Sequence, residues 1–207
     1  QHHNILAVVA VIMDTIPMTA LTMHMRNGDL KSYLRGCRAT AKSPKEKLRV
    51  SHLLEIGAQL VSACVYLESS KVVHRGLMAS NVLVGRDHND VKLSGFGALR
   101  EVLRADEYVK VSSAKETDLD IRWMAPECFT DNTFSVKSDV WSFGVLLWEV
   151  MSFARKPYGA FNPSEIAVEV RMGRRLERPE GCPQSLFDCI GRCWSADLTN
   201  RPSFTTV

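Results

Sequence analysis

The stretch His74-Arg75-Gly76-Leu77-Met78-Ala79-Ser80-Asn81-Val82-Leu83-Val84 is followed, 14 residues after Asn81, by Gly95-Phe96-Gly97. On its amino-terminal side Leu53, Ile56, Leu60, Cys64 and Leu67 recur at spacings of three and four. That period predicts an amphipathic helix from Ser51 to near Ser70. On its carboxyl-terminal side Val136 to Met151 is apolar nearly all round, and is expected to run as a helix through the middle of a helical core. Pro163, Pro183 and Pro202 each open a further helical segment, the first two toward Met172 and Trp194, at positions that tolerate a missing N–H.

Ahead of these segments, Ile5 to Ile12 and Thr19 to Met25 read as two strands joined by the turn residues Asp14 to Pro17. Asp29 is the expected N-cap of a short helix through Arg35, and Gly36 to Lys47 reads as a basic, polar loop and the most mobile segment. Strands first and helices afterwards make an α+β chain.

The 207 residues, 45% apolar and 24% charged, suit one globular domain. A net charge of +3, spread evenly along the sequence, gives neither a nucleic-acid footprint nor a polybasic membrane arm, so nucleic acid is not an expected partner. The longest apolar run, Ile5 to Met13, is about half the roughly 20 residues that span a bilayer. No membrane-crossing segment is expected. None of the six cysteines forms a C-x-x-C pair, and Cys189 and Cys193 lie one helical turn apart, so buried thiols in a reducing compartment are expected. A chain that starts at Gln1 and stops at Val207 within a helical pattern is expected to be an excerpt of a longer protein.

The two opening motifs resemble the catalytic loop H-R-D-L-x-x-x-N and the D-F-G motif of the protein kinases. The likeness continues through Arg122-Trp123-Met124-Ala125-Pro126-Glu127, Ser138-Asp139-Val140-Trp141-Ser142-Phe143-Gly144, Cys193-Trp194 and Arg201-Pro202, which resemble tyrosine kinases more than serine/threonine kinases. It covers essentially the whole chain. Gly28-Asp29-Leu30-Lys31 and Pro179-Glu180-Gly181-Cys182-Pro183 resemble stretches of receptor-type tyrosine pseudokinases related to the off-track and colon-carcinoma-kinase receptors. The resemblance implies a partial protein-kinase fold. Residues 1–25 would be the end of the amino-terminal lobe and the hinge, with Thr22 as gatekeeper; residues 26–207 would be the helical lobe, truncated in its last helix. The glycine-rich loop, strand lysine and helix glutamate would lie upstream.

By the same resemblance, Gly76 stands where the catalytic aspartate takes the hydroxyl proton, and Gly95 where the D-F-G aspartate holds magnesium across the nucleotide phosphates. Asn81 matches the second metal ligand, but one neutral amide oxygen is a poor site for a hard dication. Ser80 replaces an arginine near the transferring phosphate. Asp87 and Asp90, the nearest acids, are expected to face solvent. Met23, Met25, Asp29 and Leu83 match the hinge and the floor of the nucleotide pocket. Arg75 would pair with a phosphorylated activation-loop residue, for which Tyr108, beside Asp106 and Glu107, is the candidate; the alternative, which a lone tyrosine favours, is a plain surface residue on a mobile loop.

The architectural positions are filled: Glu127 would pair with Arg201, Asp139 would hydrogen-bond the catalytic-loop backbone, and His74 and Phe96 would stack in the spine joining the lobes. Together these imply a catalytically impaired tyrosine-kinase-like domain with weak ATP binding and lost magnesium binding, serving as a signalling scaffold. Its partners would be signalling proteins, an active tyrosine kinase among them. The parent would be a single-pass plasma-membrane receptor with this domain on the cytoplasmic side. An active tyrosine kinase with rearranged acidic ligands and a nucleotide-binding switch are the rival readings.

Overall fold

A computed structural model describes residues 2–14, 19–39, 48–96, 100–101, 109–110 and 120–207. The first strands, β1 (Val8–Ile12) and β2 (Thr19–Thr22), form an antiparallel hairpin with Val8 opposite Thr22 and an irregularity between Val8 and Ala10. Both are shorter than their apolar runs. Ile5 instead bridges to Leu93, and the backbone at Met23 to Met25 has left the ladder. The helix α1 (Leu30–Ala39) continues past Arg35 through Gly36, where the sequence suggested a loop; residues 40–47 of that loop lie outside the described residues. A side chain at position 36 would meet nothing, so this glycine sits on an open helix face where it is tolerated.

Next come α2 (Val50–Ser69), β3 (Val72–Val73), β4 (Val82–Val84), β5 (Val91–Leu93), β6 (Arg100–Glu101) and β7 (Val109–Lys110). They are followed by α3 (Pro126–Thr130), β8 (Thr133–Phe134), α4 (Val136–Met151), α5 (Pro163–Arg171) and α6 (Gln184–Cys193). Strands β4 and β5 pair antiparallel with Leu83 opposite Lys92, while β3 pairs with β6 and β7 with β8. These late two- and three-residue strands were not expected. The helix expected at Pro202 is a single 3₁₀ turn, Phe204–Thr206.

Every residue of α4 except Lys137 is buried, so this helix is the core around which the others pack. Its start is fixed by the Ser135 hydroxyl, which accepts from Ser138 N. Asn162 Oδ1 accepts from Glu165 N at 3.0 Å while Glu165 Oε2 accepts from Asn162 N at 2.8 Å, a reciprocal cap that starts α5 with Pro163 at its first turn. By length and composition α2 is apolar enough to cross a bilayer, which its interrupted apolar pattern had not suggested. Its buried face, including Leu53, Ile56, Leu60, Cys64 and Leu67, packs on α4 and β5. The chain end is tied back by Arg201, whose buried guanidinium reaches both Glu127 oxygens at 2.6 and 2.9 Å and also donates to the carbonyls of Lys137 and Ser195.

A close helix contact is made where Gly144 of α4 meets the end of α6. A Cβ there would lie 2.8 Å from Trp194 Nε1 and 2.9 Å from Cys193 Cβ, whereas a Cβ at Gly191 on α6 would meet open space. Gly144→Ala is therefore expected to destabilise the domain by roughly 1–3 kcal/mol through overpacking. Gly191→Ala should stabilise it, by up to about 1 kcal/mol, through helix propensity. Urea unfolding of the two variants checks this; equal effects would remove the close contact as the cause.

Candidate functional site

The loop from His74 to Asn81 is suspended from α4 at two points. Asp139, in the first turn of α4, accepts from His74 N to Oδ2 at 2.6 Å and from Arg75 N to Oδ1 at 2.9 Å. Nearly three turns further along, Glu149 Oε2 accepts from Ala79 N at 3.0 Å and from Trp123 Nε1 at 2.7 Å. Burial pushes both carboxyls up to about 7, against the downward pull of these N–H donors. The double acceptance by Asp139 also holds Arg75 at a left-handed φ of 67°, a conformation that needs such support in a residue with a side chain. The Arg75 guanidinium lies 4.5 Å from the centre of the Phe134 ring.

The His74 ring is buried between the two motifs. Its Nε2 lies 2.9 Å from Ser94 O, and its Nδ1 accepts from Gly76 N at 3.2 Å, which fixes a neutral ring with the proton on Nε2. Burial pushes its pKa down to about 4. Phe96 meets the ring edge to face at a centroid distance of 6.2 Å.

Asn81 joins the motifs from the other side. Its Nδ2 donates to Gly76 O at 2.8 Å, and its own carbonyl accepts from both Ser94 N and Ser94 Oγ at 2.8 Å. Gly76 is tight but not closed to a side chain: a Cβ would lie 3.0 Å from Asn81 Nδ2, the end of a side chain that would have to give by a few tenths of an ångström. Gly95 has no room for one. Its φ is +84°, and a Cβ there would lie 2.6 Å from Asn81 Cγ and 2.9 Å from Asn81 Cβ.

The donor set does not fit magnesium. Neither Gly76 nor Gly95 offers a side-chain ligand atom, and with Asn81 Nδ2 given to Gly76 O only the one neutral oxygen Oδ1 is left for a dication. Asp87 Oδ1 accepts from Asn89 N at 2.8 Å in an exposed turn, and Asp90 pairs with Lys92 at 3.5 Å. Among the described residues no group of three or more His, Cys, Asp or Glu side chains could hold a metal ion. Ser80 is exposed, and Tyr108 lies outside the described residues, as does Gly97.

The hinge and floor positions are brought together by backbone pairing: Asp29 bridges to Leu83, and Gly28 N donates to Met25 O at 3.1 Å. Their side chains diverge. Met25 is buried and Met23 exposed, and Asp29 Oδ1 is engaged by Ser32 N at 2.8 Å as the cap of α1. Sequence reasoning missed Glu149 and Ser94. The signal for Glu149 was available, because a carboxyl inside a helix that is apolar all round must find buried donors.

Because the folded pKa of His74 lies below the 6.5 of an unfolded chain, its contribution to stability is complete above about pH 6.5 and is lost as pH falls toward 4, where only the unfolded chain takes up the proton. A wild-type protein should therefore lose about 3 kcal/mol between pH 7 and 4 relative to His74→Gln. Urea titrations of both proteins across this range measure it, and parallel pH profiles would refute it.

The sequence matches the family described as protein tyrosine and serine/threonine kinase over residues 1–207. It is 37% identical over 209 residues to protein sevenless of Drosophila virilis, covering 99% of this chain and 8% of that protein. It is 39% identical over 209 residues to the tyrosine-protein kinase transforming protein ros of UR2 avian sarcoma virus, covering 99% of this chain and 51% of that one. To the human tyrosine-protein kinase FRK it is 35% identical over 207 residues, all of this chain and 39% of the relative. The chain thus spans between a twelfth and half the length of these relatives. With the family matched from end to end and its motifs assembled around α4, the chain belongs to the protein tyrosine and serine/threonine kinase family, on its tyrosine-kinase side.

Proposed function

We propose that this domain is a pseudokinase: a tyrosine-kinase-like domain impaired in phosphoryl transfer that serves as a signalling scaffold by binding other proteins. The observation that carries this reading is the state of the two glycine positions. The carboxylates needed to accept a proton and to hold magnesium are absent at Gly76 and Gly95, and the space beside Gly95 is filled by Asn81. Loss of a general base costs about 10²- to 10⁴-fold in rate, and loss of metal stabilisation several kcal/mol more, though the two need not add. The supporting contacts (Asp139 to the loop backbone, Glu127 to Arg201, His74 to Phe96) are formed. A preserved shape without its reacting groups can still bind.

On this reading ATP binding is weak and independent of magnesium, and the partners are signalling proteins, an active tyrosine kinase among them. The parent is a single-pass receptor related to the off-track and colon-carcinoma-kinase receptors, with this domain on the cytoplasmic side of the plasma membrane. Tyr108 is its candidate phosphorylation site. The names of the relatives, several of them tyrosine-protein kinases, favour the rival reading of an active enzyme.

A phosphorylation assay on the full-length protein, with magnesium and with manganese, decides between the two. No transfer above background is expected, and transfer at a rate of about 1 s⁻¹ or more, ordinary for a kinase, would sink the proposal. Restoring the acid is also expected to fail at one position. Gly95→Asp should lower stability by roughly 1–3 kcal/mol, because φ is left-handed and the new Cβ meets Asn81. Gly76→Asp should fold with little loss. Urea unfolding of the two variants, with nucleotide titrations with and without magnesium, provides the check. A stable Gly95→Asp variant that gains magnesium-dependent binding would contradict it.

A further inference from the structure

A cleft of about 640 Å³ lies on the helical lobe away from the motifs described above. Arg35 and Arg38 reach it from α1, Arg155 and Lys156 from the segment after α4, and Arg174, Arg175 and Arg178 from the segment between α5 and α6. Among the described residues Glu177 is the one carboxylate in the lining. Among the described residues that line it, seven cations against one anion leave six net positive charges, twice the +3 of the whole chain, so the other residues of the chain sum to three negative charges. The fold collects into one concavity a charge that looks dispersed in the sequence.

Most of that charge has no carboxylate paired with it among the described residues. Arg174 pairs with Glu169, but Arg35, Arg175 and Arg178 donate to carbonyl oxygens, of Ala154, Trp194 and Cys182 respectively. A carbonyl orients a guanidinium without cancelling its charge. Exposed Arg38, Arg155 and Lys156 have no hydrogen-bonding or ionic partner among the described residues. The floor is apolar and aromatic, with Trp148, Tyr158 and Leu176 all buried. The Tyr158 hydroxyl, in a residue only 7% exposed, has no hydrogen-bond partner among the described residues. Such a group is costly to bury unless something bonds to it.

We propose that this cleft is a docking site for an acidic segment of a partner polypeptide, whose aspartate and glutamate side chains meet the arginine-lined walls. Six of the seven cations are arginines, whose planar forks match carboxylates in pairs. The volume lies within the roughly 300–1,000 Å³ of ligand sites, and a concavity admits extended peptide where the flat surface of a bilayer would touch only the rim. The assignment rests on the scaffold reading in giving that scaffold the chemistry of its partner. It does not use the phosphoryl-transfer motifs.

The test is fluorescence anisotropy of a labelled Asp/Glu-rich peptide with the full chain, beside the same peptide with Gln and Asn in place of the acids. The acidic peptide is expected to bind, weakening as salt rises from 50 to 300 mM, and the amide peptide not to bind. The double substitution R155E/K156E, on exposed side chains outside any internal bond, should weaken binding about tenfold or more. Arg38→Glu should weaken it independently, with unchanged urea unfolding of both variants as the folding control. Absence of acidic-peptide binding by folded wild-type protein, or binding indifferent to both charge reversals, would overturn the proposal. Capture by phosphatidylserine vesicles that the peptide cannot compete away, or binding of inorganic phosphate alone, would overturn it too. The phosphorylation assay fails or succeeds separately: a protein that transfers phosphate and binds the peptide through Arg155 and Lys156 loses the scaffold reading and keeps the cleft.

Discussion

One buried carboxylate, Asp139, sets the geometry on which the rest of the helical lobe depends. It accepts two successive backbone amides from the loop, at a point where Arg75 is left-handed and the chain follows no regular ladder. The loop therefore cannot be placed until α4 is. Since α4 is buried on almost every face, its own position is set by the packing of α2 and α6 against it. Glu149 repeats the device near the far end of the helix, so the loop is gripped at two heights and cannot pivot about either one. Taking these acids out of water is unfavourable, as the upward displacement of both pKa values records, and the N–H donors offset it.

This suspension is independent of the reacting groups. Asp139 touches the backbone of residues 74 and 75, not the side chain at 76, and Arg201 closes on Glu127 far from the motif pair. Substitution at Gly76 or Gly95 leaves each of these contacts in place. A family fold in this form can lose its chemistry without losing its scaffold, provided the glycines are accommodated. At residue 95 the accommodation is physical: the Asn81 side chain occupies the neighbouring volume and donates to Gly76 O, while its backbone carbonyl accepts from Ser94, so that one residue ties the two motifs.

What could be read in the sequence followed the strength of the local signal. The all-round apolar segment Val136 to Met151 is α4 residue for residue, because no exposed face interrupts it. The end of α1 was misplaced since Gly36, usually a stop, lies on a face where the absence of a side chain is harmless. Strands of two or three residues, such as β3 and β8, are too short to show a period of two. The motifs named the positions that would carry chemistry, but the contact between Asn81 and Gly95 depends on a backbone dihedral and a side-chain rotamer that no motif encodes. The basic cleft was hidden for a different reason. Its cations are scattered between residues 35 and 178, and a count of charge along the chain treats as even what the fold makes local.

On the pseudokinase reading, the left-handed glycine at 95 acts as a ratchet against the return of an acid at that position. An aspartate could be lost from that position in one step, and Asn81 could then settle into the space released. The reverse step now meets that asparagine and an unfavourable dihedral before it meets any metal ion. A lineage carrying this arrangement would have to move Asn81 and turn the backbone at 95 first, neither change bringing any benefit alone.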